Sequence, residues 1–67
     1  MINQSILNIA IDHMKAMASG DADFANKLFG ILERRGYIIS PTDHINPLDL
    51  RPDNHVFLSR DVVLLTK

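Results

Sequence analysis

Two glycines set the outline of this chain. Gly20 and Gly36 each close a stretch in which apolar residues recur with helical spacing. Glycine takes the left-handed backbone that ends a helix without steric strain. At about 100° per residue, Ile2, Ile6, Leu7, Ile9, Ala10, Ile11, Met14, Met17 and Ala18 fall on one arc. Asn8, Asp12 and Lys15 fall on the other side. The apolar arc is about 200° wide, broader than the roughly 100° that one buried face needs. A helix of this kind calls for two apolar neighbours. One is its hairpin partner. The other is the C-terminal segment or a second copy of the chain.

After Gly20, Asp21 suits a helix N-cap, and Asp23 in the first turn complements the helix dipole. Phe24, Ala25, Leu28, Phe29, Ile31 and Leu32 share an arc of about 160°. Arg34-Arg35-Gly36 then places cations in the last turn and a glycine at the stop. Two helices, about 3–18 and 22–35, joined by so short a loop, predict an antiparallel helical hairpin.

Beyond Gly36 the texture is β-prone and broken by prolines. Tyr37-Ile38-Ile39 and His55-Val56-Phe57-Leu58 read as short strands. Val62-Val63-Leu64-Leu65 is a third such run, although Ser59 could equally cap a last helical turn, so residues 59–67 stay open between strand, helix and tail. Ser40 to Asn54 holds Pro41, Pro47 and Pro52 and reads as one long loop, with Leu48 and Leu50 expected to pin it to the core. The predicted fold class is α+β: an N-terminal antiparallel helical hairpin followed by two or three short β-strands, with a long Pro-containing loop. The 67 residues form a single small domain, 1–67.

A chain this short has a marginal core. It has no cysteine, so no disulfide or thiolate-bound metal supports it. Oligomerisation is the expected support, and a two-fold homodimer is the commonest form. It would form through the first helix or by pairing of C-terminal edge strands. The net charge of -1 points away from a nucleic-acid or membrane-surface binder. No apolar run reaches the roughly 18 residues of a membrane span. The opening Met1-Ile2-Asn3-Gln4-Ser5 lacks a basic leader region, so a cytoplasmic location is expected.

The stretch Phe24 to Leu58, with a helix ending in Arg34-Arg35, then Gly-Tyr-Ile, a polar loop and a second strand, loosely resembles the outline of a winged-helix DNA-binding domain. That resemblance implies a DNA-binding transcriptional regulator as the alternative function. Two points weigh against it. The N-terminal part of a recognition helix meets the bases, and here that part carries Asp21 and Asp23. The seven basic residues are scattered among eight acidic ones, whereas counterion release needs several cations on one face.

Little else carries chemistry. His44 and His55 flank a loop with Asp43, Asp49 and Asp53, but no pair has metal-ligand spacing, and no metal or cofactor is expected. Ser40, Thr42, Asp43 and His44 are adjacent in sequence rather than convergent, so no catalytic residue is assigned and no enzyme activity is expected. His13 lies about 20° from Ile2 and Ile6, at the border of the apolar arc. It is expected to pack with one nitrogen satisfied, with a pH-sensitive interface residue as the other reading. The predicted function is a small non-enzymatic regulator or adaptor that binds a larger protein partner, as a homodimer, through an apolar and arginine-bearing surface. Its binding residues are expected to be Arg34, Arg35, Tyr37 and Arg51, since aromatic and arginine side chains dominate interface energetics.

Overall fold

The computed structural model describes residues 2–67. Helix α1 runs from Gln4 to Ala18 and α2 from Ala22 to Arg34. Their ends follow the sequence signals. The Asn3 carboxamide oxygen accepts from Ile6 N–H at 2.9 Å, and Asp21 Oδ1 accepts from Phe24 N–H at 3.2 Å. Both side chains satisfy an otherwise free first-turn donor. At the end of α1, Gly20 has φ +80°, and two bonds close the turn: Asp21 N–H to Ala16 C=O at 2.9 Å and Gly20 N–H to Met17 C=O at 3.2 Å. This is a Schellman motif. Gly36, with φ +89°, also ends α2 in the left-handed region, its N–H bonded to Glu33 C=O at 3.1 Å, without the second bond that closes the turn after α1. The helices form the expected hairpin.

Three strands follow: β1 (Tyr37–Pro41), β2 (His55–Ser59) and β3 (Val62–Thr66), in the order β1-β3-β2, all antiparallel neighbours. The last strand in sequence is therefore the middle one. It cannot serve as a dimerising edge, which removes one of the two routes to a dimer that the sequence suggested. The edge strands are β1 and β2.

Two other expectations are corrected. The segment 40–54 is not one unstructured loop. β1 continues through Ser40 and Pro41, and short 3-10 turns occupy Thr42–His44 and Pro47–Asp49. Proline is tolerated in β1 because of its position. Lys67 N–H bonds Gly36 C=O and Thr42 N–H bonds Asp61 C=O, each at 2.8 Å. Ladder pairs alternate, so Ile38 and Ser40 point their peptide groups at β3, while Tyr37, Ile39 and Pro41 point theirs off the sheet. At an outward position a missing N–H forfeits no ladder bond. The second correction concerns Leu48. It is 90% exposed at the tip of its turn, and only Leu50 is half-buried.

The core explains the stacking. Ile6, Ala10, Leu32 and Leu64 form one buried cluster, with Ile9, Tyr37, Ile39 and Leu58 packed around it. Val63 and Leu64 are adjacent on β3, so their side chains leave opposite faces, yet both are fully buried. The helices hold the Leu64 face. β1 and β2 both run antiparallel to β3 and hence parallel to each other, so residues 42–54 must return the length of the sheet. With one face taken by helices, that return crosses the Val63 face, where Ile45 and Leu50 are half-buried. A bulge between Phe57 and Ser59 sets two residues of β2 against one step of β3, and Leu58, on the same face as Val56 and its partner Leu64, packs on the helix-side cluster.

Candidate functional site

Two surfaces compete for the role. The first is the end of the sheet that carries the arginines. Arg34 is the last residue of α2, and Arg35 caps it with its N–H shared between Ile31 and Leu32 carbonyls at 3.2 and 3.1 Å. Both side chains are exposed. Arg51 is exposed too, in the chain entering β2, with its N–H on Asn54 Oδ1 at 2.8 Å and its carbonyl accepting from His55 Nδ1 at 2.6 Å. The register brings these residues to one end. Tyr37 pairs with Thr66, and Thr66 N–H bonds Asn54 C=O at 3.0 Å. Tyr37 and Asn54 therefore share a rung, about 10 Å apart by two strand spacings, and Arg35 and Arg51 precede them in the chain at that same end of the sheet. Tyr37 differs from the other three. It is half-buried and packs on the core cluster.

That end is not a cationic patch. Lys67 adds a fourth cation but pairs with Glu33 at 3.7 Å, and Asp49 and Asp53 lie in the same loop as Arg51. The wing outline also fails at the level of pairing: β1 and β2, which it would make a hairpin, are separated by β3.

The second surface was only hinted at by the sequence. Along α1, Leu7, Ile11, Met14 and Ala18 recur at helical spacing on one flank. Leu7 and Met14 are half-buried and Ala18 is exposed. Ile11 is 38% exposed, and Met17 nearby is 56% exposed. This flank leads into a groove of about 230 Å³ between helix and sheet. His13, Met14 and Met17 form one wall. Ile39, Ser40, Pro41 and Val62 form the other. The breadth of the apolar arc on α1 was the signal for it. The β1 wall had no signal, because it depends on which strand lies at the edge.

His13 is the polar element of that groove, only 8% exposed. Its Nδ1 lies 2.8 Å from Ala25 C=O. A carbonyl only accepts, so Nδ1 carries the proton. The bond ties α1 to α2, and Ala25 that accepts it is fully buried. The ring also packs on Phe29, with centroids 5.8 Å apart. The packing reading of His13 thus has its partner. The Ser40 hydroxyl turns to the Pro41 carbonyl at 3.4 Å, and no hydrogen bond links it to His13. The groove is smaller than the roughly 300–1,000 Å³ of small-molecule sites. Its size suits a bulky side chain.

Among the described residues, no group of three or more His, Asp or Glu side chains is placed to hold a metal ion, and no helix is long and apolar enough to cross a membrane. No protein-family model, no curated protein and no solved structure matches the chain at a significant level.

Proposed function

We propose that this protein is a small protein-binding domain, a regulator or adaptor without catalytic chemistry, that engages a larger partner through the exposed flank of α1 and itself forms a homodimer. The observation that carries the reading is the apolar ribbon from Leu7 to Met17, continuous with the groove. Ile11 and Met17 expose apolar surface that folding leaves unburied, and contiguous exposed apolar patches mark binding surfaces. Arg34, Arg35 and Arg51, exposed at the Tyr37 end of the sheet and away from the groove at its Pro41 end, supply a polar rim on that side only, where they can meet acidic groups. Tyr37 contributes less to that rim, because half of it is spent on the core.

The test is a pull-down from host lysate with wild type and Met17→Asp side by side, each split into nuclease-treated and untreated halves. Met17 is exposed enough for the variant to fold, which circular dichroism checks. A stoichiometric protein that survives nuclease and is lost with Met17→Asp supports the reading. Capture that depends on nucleic acid and is lost in Arg34→Ala/Arg35→Ala instead would overturn it in favour of nucleic-acid binding.

A further inference from the structure

One side-chain atom on the walls of the groove has no partner within the chain. His13 gives its Nδ1 proton to the Ala25 carbonyl at 2.8 Å. In the neutral ring that leaves Nε2 with a lone pair, an acceptor only. The two ring nitrogens face away from each other, so with Nδ1 turned to α2, Nε2 turns away from it. The ring is 8% exposed and lines the groove. Among the described residues, the Ala25 bond is the hydrogen bond of this ring, and no buried side-chain nitrogen or oxygen is sealed off without a partner. Nε2 is therefore open to the outside, and the groove is the opening that His13 lines.

The rest of the lining narrows what can meet that acceptor. Met14, Met17, Ile39, Pro41 and Val62 offer no side-chain donor. Ser40 turns its hydroxyl to the Pro41 carbonyl at 3.4 Å. The side chains thus present one acceptor in an apolar slot of about 230 Å³, room for one large side chain rather than for a small-molecule ligand. An aliphatic or phenylalanine side chain would fill the slot and leave Nε2 shut away unpaired, which costs free energy. A tyrosine hydroxyl brings a donor, but also acceptor lone pairs for which the lining has no donor. Indole has an apolar body and a single N–H that donates and never accepts. The two methionines suit it further, since thioether sulfur packs favourably against aromatic rings. We infer that the groove takes a tryptophan side chain of a partner protein, its indole N–H donating to His13 Nε2. The inference deepens the protein-binding reading above and rests on it. It also separates the partner from a second copy: this chain has no tryptophan, so another copy cannot fill the groove in this way.

The test varies the ligand and leaves the protein as wild type, so no variant has to fold. The probe is N-acetyl-L-tryptophanamide. Its control is the benzothiophene counterpart, in which sulfur replaces the indole N–H and the ring system is otherwise the same. Each is titrated into the isotopically labelled chain at about pH 8, where imidazole is ordinarily neutral, and followed by NMR. A lone side chain should bind weakly, with a dissociation constant on the order of 1 mM. The His13 Nε2 resonance should move toward that of a protonated ring nitrogen. Backbone signals of Met14, Met17, Ile39 and Val62 should move with the same dependence on probe concentration. The benzothiophene control should bind at least about fivefold more weakly and leave Nε2 in place. His44 and His55 serve as internal controls, and their rings should not respond. Equal binding of the two probes, or groove signals that move while Nε2 does not, overturns the hydrogen bond and the choice of tryptophan with it. No response in the groove up to the solubility limit of the probe overturns the site, and so does an equal response at all three histidines. None of these failures touches the adaptor reading, which stands or falls by whether capture is lost with Met17→Asp.

Discussion

Replacing leucine by alanine at positions 64 and 48 makes the same chemical change in two opposite environments. Leu64 is fully buried, in a cluster that draws Ile6 and Ala10 from α1 and Leu32 from α2. It is the point where both helices meet the middle strand. Truncating a buried leucine removes transfer free energy and leaves a cavity, roughly 2–5 kcal/mol together. Little relief comes from collapse, because Ala10 is already small and sits on a helix backbone. We expect a loss of about 3 kcal/mol. At roughly 0.05–0.15 kcal/mol per residue, the whole chain has about 3–10 kcal/mol to lose. Urea denaturation followed by circular dichroism measures the change. With a slope of about 1 kcal/mol/M, the midpoint should fall by about 3 M, or the variant should be unfolded without urea. Leu48→Ala, at 90% exposure, should stay within about 0.5 kcal/mol of wild type. Low protein concentration keeps association out of both numbers. If Leu48→Ala lost half as much as Leu64→Ala, the turn at Pro47–Asp49 would be anchored in the core and the packing described above would be wrong.

The glycines give a second pair of opposite signs. An added Cβ meets nothing within 4 Å at either Gly30 or Gly36, so only backbone conformation decides. Gly30→Ala, inside α2, should stabilise by about 0.8 kcal/mol, and Gly36→Ala, at φ +89°, should destabilise by about 1 kcal/mol. Thermal melts of the two variants should bracket wild type. The Lys67–Glu33 pair is about half exposed on both sides, so Glu33→Gln should alter stability by less than about 0.5 kcal/mol, and adding salt should alter wild type no more than the variant.

Local rules carried the first half of the molecule. Gly20, Gly36 and Asp21 act within a turn or so of themselves, and their roles were readable without knowing what the rest of the chain does. The sheet was less legible because strand pairing is non-local. Val62-Val63-Leu64-Leu65 is an unbroken apolar run, the pattern of a strand buried on both faces, and that reading would have placed it in the middle. Pro41 ended the first strand too early on paper, since a proline is forbidden or harmless according to which way its peptide faces, and only the register tells. Leu48 was misjudged for a similar reason: a lone apolar residue between turns has no period to show where it points. At the candidate site, Arg34, Arg35 and Arg51 were picked by residue type, and the fold brings them to one end of the sheet. The groove was out of reach because half of it belongs to an edge that the sequence does not declare.

The order β1-β3-β2 also has a consequence for how the molecule is born. On a growing chain the helical hairpin is complete early and its contacts are local, which favours rapid formation. Tyr37–Pro41 and His55–Ser59 then emerge with no neighbour to pair with, for each binds only the strand that is synthesised after both. Until Val62–Thr66 appears, the nascent chain shows two bare strands and an uncovered helix face, a species prone to aggregate. The last strand made is thus the keystone. A message cut short before Val62 would yield a hairpin with loose ends rather than a smaller version of this fold.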